Sequence, residues 1–481
     1  MRRKLFFIVF LLTTLTGAFG QSKTELINRA IFNKIEFFIN TQMTDSIYSL
    51  ASDNFKKQIP AEQLAFVLNK LYQLGTIQQV DVVDFKENTA TYLLQFSEHA
   101  LQAKLALDST LHYEMLAFVP AEKPTQKKVE KADVISNVEK VSPLDFYIDS
   151  LASSYVKKGD AQSLAIAIFH QNDYKTFFYG ETEKGNQTLP TETSLYEIGS
   201  ITKVFTAVLL ADLVTKNMLE LDDTISKFLP DSVAQNPAIQ GITFKQLANH
   251  TSSLPRLADN WNKVAGFNER DPYAAYDRKA LFSFLKNFKG GKNPGEEYEY
   301  SNVGFGLLGE LISIITKKPY IQYLQETVLT PLQMTGTLEK VDAKKQQAFL
   351  KVYDAEGNET PLWNWKAMVG AGGLKSNAKD LTLFAVEQFK MPLEDLQKAM
   401  ALTREFTFFT PNNMDIGLAW HMSMLDGIIY FRHTGGTAGS SSFIGLSPDT
   451  KTSVVVLSNQ AESVEEISVA IMEKLLQQSQ N

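Results

Sequence analysis

Cysteine is absent from this chain of 481 residues. Without a thiol the chain cannot form disulfides, bind zinc through thiolates or use a cysteine nucleophile. Attachment of a lipid to an amino-terminal cysteine is excluded for the same reason.

Histidine is scarce, and positive charge is in deficit. None of the six histidines stands four residues from another, which excludes a helical HExxH zinc site. We therefore expect no metal and no cofactor. Acidic residues outnumber basic ones by 54 to 47, which argues against nucleic acid as a partner. The histidines are His99, His112, His170, His250, His421 and His433.

Long hydrophobic runs are also missing, apart from one at the amino end. There, basic residues at positions 2–4 precede an apolar stretch at 5–12, and small residues follow it up to Gly20. This order predicts a signal peptide over residues 1–20. No later stretch reaches the roughly 20 apolar residues that cross a bilayer, so we expect no stable membrane anchor. Export without cysteine predicts a periplasmic or secreted protein of a bacterial envelope.

The overall composition, 44% hydrophobic and 21% charged, is typical of globular protein, and the length calls for two domains. Residues 21–120 combine helical spacing, as at 64–72, with alternating strands between Val80 and Leu107. They predict a small α+β accessory domain. Its pattern resembles the NTF2-like domains, and we expect a binding or spacer module that could make a protein contact.

Residues 121–142 are rich in lysine and glutamate and predict a linker. Residues 143–481 open with a helix and two strands and close with three strands and an amphipathic helix. Strands from both ends predict an α+β domain, with one antiparallel sheet flanked by helices beside an all-helical lobe. The cleft between sheet and lobe is the expected site. The predicted strands are 164–170, 175–179, 428–432, 442–446 and 453–457.

A serine and a lysine lie one turn apart at the start of an apolar helical run. Ser200 begins the run, where backbone N–H groups are free, and Lys203 lies on the same helix face. A serine hydroxyl needs a base, and a desolvated lysine near other cations can be neutral enough to serve. The same spacing recurs on what we expect to be solvated helix faces or turns, at Ser154/Lys157, Ser283/Lys286 and Ser376/Lys379.

Two further motifs, in a fixed order, single out Ser200. Tyr300-Ser301-Asn302 is the only Y-x-N in the chain, and His433-Thr434-Gly435-Gly436 follows on a late predicted strand. With these motifs, residues 143–478 resemble the serine β-lactamase and penicillin-binding superfamily. The branch is that of class C β-lactamases, DD-carboxypeptidases, D-aminopeptidases and related esterases. Further family-like segments are 249–255, 294–296, 371–374, 417–420 and 458–459.

The resemblance implies an acyl-enzyme mechanism. Ser200 attacks a substrate carbonyl, while Lys203 and Tyr300 share the proton. For this relay Lys203 must draw the Tyr300 phenol toward ionisation. The backbone N–H groups of Ser200 and Gly436 would form the oxyanion hole, in which one donor is worth roughly 3 kcal/mol.

The resemblance also implies how substrate is held. Asn302 binds the substrate amide, and the strand motif binds the substrate's edge through His433, Thr434, Gly435 and Gly436. β-Lactamases of this branch mostly carry lysine at the first of these positions, whereas the histidine form is similar to DD-peptidases and esterases. Histidine titrates at about 6.5, so a charged His433 would lose attraction for a substrate carboxylate as pH rises through neutrality. The alternative is that His433 only donates a hydrogen bond or packs within the strand, in which case acid and neutral substrates share one pH profile.

A second departure lies in the segment His250-Thr251-Ser252-Ser253-Leu254-Pro255, where the family's H-T-S-G-L-P loop usually has glycine at the position of Ser253. The change predicts a local adjustment of the backbone. His250, in the same loop, is expected to be a structural histidine.

The motifs predict an active serine hydrolase and leave its substrate open. The preferred substrate is a small molecule or cell-wall peptide, either a D-amino-acid peptide, as for DD-peptidases, or an ester. One alternative is a β-lactamase, which would deacylate penicillins rapidly. Another is a non-catalytic cell-wall sensor or binding protein that binds muropeptides without turnover.

Overall fold

The computed structural model describes residues 23–77, 79–86, 88–96, 100–120, 134–158, 163–340, 348–410 and 415–479. The chain divides into two compact units, the first ending at residue 127 and the second starting at residue 128. The predicted signal peptide lies outside the described residues, as do residues 121–133 of the predicted linker. The domain boundaries inferred from sequence stay predictions. Within the described ranges, no helix is long and apolar enough to cross a membrane.

The first unit packs helices on an antiparallel sheet of four strands in sequential order. Alternate residues of the second strand, Ala90, Tyr92 and Leu94, are buried, and the Tyr92 ring stacks on Phe32 at 3.9 Å between centroids. The predicted α+β class is confirmed, while the NTF2-like resemblance stays a prediction. The elements are α1 (Lys23–Asn40), α2 (Thr44–Ser49), α3 (Asp53–Gln58), α4 (Ala61–Tyr72), β1 (Gln79–Lys86), β2 (Thr89–Gln95), β3 (Ala100–Leu107) and β4 (Tyr113–Pro120).

The second unit is built on a seven-stranded antiparallel sheet in the order β11-β12-β13-β14-β15-β5-β6. Strands from both ends of the unit join in one sheet, where β15 pairs with β5, as the sequence predicts. The strands of the whole second unit, including β7 to β10, which lie outside this sheet, are β5 (Ser163–His170), β6 (Asp173–Gly180), β7 (Tyr196–Glu197), β8 (Val352–Tyr353), β9 (Glu359–Thr360), β10 (Lys375–Ser376), β11 (Asp415–Ile416), β12 (His421–Leu425), β13 (Ile428–Gly436), β14 (Ser441–Ser447) and β15 (Thr452–Ser458).

Both faces of this sheet are covered, which is why its central strands are continuously apolar. Val454 and Val456 pack with α5 (Pro143–Lys158) and α16 (Glu465–Gln478), whereas Val455 and Leu457 face the helical lobe. The twofold alternation of a strand sends successive side chains into these two separate cores.

The helical lobe surrounds α6, which is buried from Thr202 to Leu213. A helix that is apolar all round needs partners on every side, and here other helices and the sheet supply them. The α+β fold, a sheet flanked by helices beside a helical lobe, is confirmed. The lobe helices are α6 (Thr202–Thr215), α7 (Asp231–Ala234), α8 (Pro237–Gln240), α9 (Phe244–Ala248), α10 (Arg278–Asn287), α11 (Asn302–Thr316), α12 (Tyr320–Leu324), α13 (Val369–Gly372), α14 (Ala378–Glu387) and α15 (Asp395–Thr403).

Candidate active site

Ser200 lies in a single 3₁₀ turn, Gly199–Ile201, that leads directly into α6. The helix behind it is fully enclosed in the lobe core, so the serine stands on a rigid support. Ser200 itself is only half-buried. Its position at the start of the helix leaves its backbone N–H outside the helical hydrogen-bond ladder.

Lys203 is fully buried one turn along the helix, and its Nζ atom contacts Ser200. Nζ donates to Ser200 Oγ at 3.1 Å, to Asn302 Oδ1 at 2.8 Å and to the Ala371 carbonyl at 2.7 Å. These three contacts fix the nitrogen beside the hydroxyl, and a neutral amine can keep all three by donating to Asn302 and Ala371 and accepting from the Ser200 O–H.

The environment of Lys203 favours its neutral form. Burial lowers the pKa of the Lys203 amine well below its ordinary value, and the positive charge of Arg256 lowers it further. A neutral amine has a lone pair, so Lys203 can accept the Ser200 proton. The sequence-based expectation that this lysine is desolvated near another cation matches the geometry.

Tyr300 brings its ring to the same amine, with Lys203 Nζ at 4.8 Å from the ring centroid. Burial raises the pKa of the Tyr300 phenol to about 12, although a hydrogen bond with Ser200 and the charge of Arg256 oppose the rise. The expectation that Lys203 draws this phenol toward ionisation is therefore wrong, because desolvation of the phenolate outweighs the charge of Arg256. Tyr300 stays a proton donor near neutral pH.

Asn302 is the first residue of α11, and Ser301 caps the helix by accepting the Gly304 N–H at 2.8 Å. The cap aims the Asn302 amide inward, where its oxygen accepts from Lys203. A hydrogen bond also links the Asn302 side chain to the Tyr273 hydroxyl. The amide oxygen of Asn302 is thus engaged with the lysine.

The loop before α10, which contains His250 and Ser253, contacts the Tyr300-Ser301-Asn302 motif. His250 is fully buried, and its Nδ1 atom accepts the Ser301 N–H at 3.0 Å while its ring lies 4.3 Å from that of Tyr300. Its expected structural role fits these contacts. Ser253 has φ of +61°, so the backbone keeps a glycine-type conformation instead of the predicted adjustment.

His433 lies on β13 and is 2% exposed. Its Nδ1–H donates to the Thr434 carbonyl at 2.7 Å, which leaves Nε2 as a buried acceptor with no partner among the described residues. Burial lowers the pKa of His433 well below its ordinary value, and the charges of His421 and Lys203 lower it further. The expectation that His433 titrates near neutral pH is therefore wrong, because the imidazole is desolvated.

The end of β13 lies against the turn that carries Ser200. A Cβ on Gly435 would meet the Ile198 carbonyl oxygen at 2.1 Å, which only glycine avoids. Gly436 is exposed and pairs with Ser441, while Thr434 pairs with Phe443 in the sheet. The structure thus brings the three sequence motifs together around the Ser200 hydroxyl.

A buried polar cluster beside this site was not predicted from the sequence. Glu197 accepts the Trp363 N–H and the Thr437 hydroxyl, each at 2.7 Å, and Lys375 donates to the Trp363 carbonyl at 2.8 Å. Glu197 and Lys375 are cross-strand partners, and both are nearly inaccessible. No sequence signal separates such a buried pair from solvated charges, although the position of Glu197 three residues before Ser200 is a clue.

The other S-x-x-K pairs lack this setting. Ser283 and Lys286 are exposed on α10, as expected for a solvated helix face. Ser376 is buried but bonds to Thr337, and its Lys379 is exposed. Within the described ranges, no three acidic or histidine side chains are placed to hold a metal ion.

The family model of the β-lactamases matches residues 148–478. The D-alanyl-D-alanine-carboxypeptidase/endopeptidase AmpH of Escherichia coli K12 is 28% identical over 319 residues, covering 63% of this chain and 80% of that protein. Protein flp of Staphylococcus aureus MW2 is also 28% identical, over 325 residues, and the match covers 65% of this chain and 62% of that protein.

Solved structures show the same fold. The β-lactamase/D-alanine carboxypeptidase from Pseudomonas syringae has a TM-score of 0.62 and 21% identity, covering 70% of this chain and 99% of that one. A class C β-lactamase gives a TM-score of 0.61 at 21% identity, covering 69% and 96%. Since the family match spans well over half of the sequence, the chain belongs to the β-lactamase family and is a serine hydrolase of the β-lactamase/DD-peptidase type.

Proposed function

We propose that this protein is an exported serine hydrolase that forms an acyl-enzyme at Ser200 on a D-amino-acid peptide or an ester. The observation that carries the proposal is the 3.1 Å contact between Lys203 Nζ and Ser200 Oγ, made by a lysine whose pKa is lowered well below its ordinary value. A nucleophile and a neutral base in hydrogen-bond reach are the minimum for acyl transfer.

In this mechanism the Lys203 amine takes the Ser200 proton as Oγ bonds to the substrate carbonyl carbon. The Tyr300 phenol, still protonated, donates its proton to the leaving nitrogen or oxygen as the scissile bond breaks. The Lys203 ammonium then returns a proton to Tyr300, which restores the phenol and the neutral amine. Deacylation runs these steps in reverse, with water in place of the leaving group. Lys203 takes the Tyr300 proton, the phenolate takes a proton from water as the water oxygen bonds to the acyl carbon, and the ammonium returns a proton to Ser200 Oγ as the acyl bond breaks. The acid is released and Ser200 is free again.

The negative charge that develops on the substrate oxygen is met by the backbone N–H groups of Ser200 and Gly436. The contact between the Gly199 turn and the end of β13 supports this role, since it sets the two N–H groups on neighbouring segments. Removal of one such donor typically costs about 10²–10³ in kcat. Thr434 and Gly436, at the accessible end of β13, would bind the substrate's edge, whereas the buried His433 ring does not reach it.

A D-amino-acid peptide is the favoured substrate because AmpH, which is 28% identical over 319 residues, is named a D-alanyl-D-alanine-carboxypeptidase/endopeptidase. β-Lactamase activity is the alternative, favoured by the name of the P. syringae structure, which joins both activities. The contact between Lys203 and Ser200 argues against a sensor that binds substrate without turnover. Export through residues 1–20 and a protein contact through the accessory domain complete the proposal.

Turnover assays on D-alanyl-D-alanine peptides, short esters, penicillins and cephalosporins test this assignment, with Ser200→Ala as the inactive control. We expect hydrolysis of peptide or ester and slow deacylation of penicillin. Rapid penicillin hydrolysis would make the β-lactamase role the principal one. Binding without turnover of any substrate would contradict the proposal.

A further inference from the structure

Glu197 lies three residues before Ser200, and the backbone between them is fixed on two sides. The Ile198 N–H donates to the Leu374 carbonyl at 3.2 Å, and the Ile198 carbonyl accepts the Ser442 hydroxyl at 2.9 Å. The Glu197 side chain itself is buried. Its carboxyl group is therefore held at a constant place relative to the turn that carries Ser200.

Each oxygen of the Glu197 carboxyl group accepts a hydrogen bond from a distant part of the chain. Oε1 accepts the Trp363 N–H and Oε2 accepts the Thr437 hydroxyl, each at 2.7 Å. Thr437 directly follows Gly436, the last residue of β13 and the carrier of one proposed oxyanion donor. One oxygen of Glu197 thus holds the residue next to that donor.

The other oxygen is linked to the proposed base through a short series of contacts. The Trp363 carbonyl accepts from Lys375 Nζ at 2.8 Å, and Lys375 also donates to the Gly373 carbonyl at 3.3 Å. Gly373 lies two residues after Ala371, whose carbonyl accepts from Lys203 Nζ at 2.7 Å. The segment 363–375 therefore connects Glu197 to an acceptor of the base.

Stability alone does not account for a buried carboxyl group at this position. Burial raises the pKa of Glu197, and the charge of its cross-strand partner Lys375 opposes the rise. Well-packed apolar residues are often as stabilising as such a buried pair of opposite charges, because they carry no desolvation cost. What apolar residues cannot supply is the pair of directed hydrogen bonds that Glu197 accepts.

We propose that Glu197 is a positioning residue that holds the Gly436 N–H at the distance from the Ser200 turn that a developing oxyanion requires. Through Trp363 it also steadies the segment that carries the Ala371 carbonyl. The inference rests on the proposed function, because the donor that Glu197 positions belongs to that site. Since Glu197 acts through other residues, its loss should slow the chemical step more than it weakens substrate binding.

Two conservative variants separate the bonds of Glu197 from its charge. The amide of Glu197→Gln can accept the Trp363 N–H and donate to the Thr437 oxygen, so it keeps both bonds without the charge. Glu197→Asp keeps the charge but is one methylene too short to reach both donors. We expect kcat to fall about 10- to 100-fold in Glu197→Asp, with KM within about threefold, and to stay within about fivefold of wild type in Glu197→Gln.

Asp380 provides a matched control elsewhere in the catalytic unit. Like Glu197 it is buried, and its Oδ2 atom accepts a backbone N–H from Gly336 and a hydroxyl from Thr337, each at 2.8 Å. Every kcat is expressed per Ser200 titrated with a fluorophosphonate, which removes misfolded protein from the comparison. Asp380→Ala should then lose stability but keep the wild-type kcat.

The wild-type kcat in Glu197→Asp, or a loss in Glu197→Gln as large as in Glu197→Asp, would overturn the proposal. If Glu197→Asp does not fold, Thr437→Val removes the bond next to Gly436, and an unchanged kcat there contradicts the inference. If the wild type hydrolyses none of the substrates, the proposed substrates fail, and the rate of fluorophosphonate labelling replaces kcat in the same comparison. A wild-type Ser200 that is not labelled would contradict the proposed function and this inference together.

Discussion

Gly199 and Gly436 are in backbone contact: a Cβ placed on Gly199 would lie 2.7 Å from the Gly436 nitrogen. Gly199 also has φ of +47°, a conformation that favours glycine. This contact brings the turn of Ser200 against the end of β13. The geometry of the proposed oxyanion hole therefore depends on how the residues around both glycines are held.

We predict that Thr437→Val lowers kcat about tenfold with a smaller effect on KM, because the donor at Gly436 shifts. The Thr437 hydroxyl donates to Glu197 at 2.7 Å, and valine removes this bond at nearly constant shape. Thr437→Ser keeps the hydroxyl and should retain kcat. Steady-state kinetics measure kcat and KM for both variants, and thermal unfolding checks that each variant is folded. Equal kcat in the valine and serine variants would show that the bond does not position the donor.

The proton relay predicts strong coupling between Lys203 and Tyr300. Lys203→Ala and Tyr300→Phe should each reduce kcat about a thousandfold or more, and the double variant should lose little further, since coupled groups are non-additive. Because the lysine acts as a neutral base, activity should fall on the acid side, as pH drops through its lowered pKa. Single-turnover acylation rates across pH measure both effects. Additive losses in the double variant would mean that the residues act independently.

We predict that the KM for a carboxylate-bearing substrate stays constant within about twofold between about pH 5.5 and 8. We expect His433 to stay neutral in this range because burial lowers its pKa well below the ordinary value. A neutral ester is the reference substrate, because titration of the base Lys203 should affect both substrates equally. An increase in KM for the acid alone, with an inflection near the ordinary pKa of histidine, would restore the charged role of His433.

Ser253→Gly should stabilise the catalytic unit by about 0.5–1 kcal/mol. A non-glycine residue in the left-handed region carries strain of about 1–2 kcal/mol, partly offset by the entropy of glycine in the unfolded chain. Ser252→Gly is a matched control without positive φ, and it removes a hydroxyl that accepts the Leu254 N–H at 3.4 Å. It should destabilise. Urea unfolding measures both variants, and a loss of stability in Ser253→Gly would contradict strain at this position.

The sheet and the three motifs were predictable because each leaves a local signal. Strand β15 reads as an apolar run, and Ser200 and Lys203 share a helix face by spacing alone. Strand β13 extends beyond the predicted 428–432 because the polar and glycine residues at its end still pair with β14. Backbone pairing of this kind depends on the neighbouring strand rather than on hydropathy.

Charge states were not predictable because they depend on burial, which the sequence does not give. Desolvation lowers the pKa of His433 and raises the pKa of Tyr300, so neither side chain titrates as its residue type alone suggests. The pairing of Glu197 with Lys375 joins residues 178 positions apart and follows only from the fold. The position of Arg256 beside the Tyr300 ring likewise follows only from the fold.

Covalent labelling is the most direct test of the central claim that Ser200 is the nucleophile. The full chain is treated with a fluorophosphonate or a fluorescent penicillin, digested, and searched by mass spectrometry for the modified peptide. We predict one adduct, on Ser200, which disappears in Ser200→Ala and persists in Ser283→Ala, a variant of an exposed S-x-x-K pair. An adduct on another serine, or undiminished turnover in Ser200→Ala, would contradict the account.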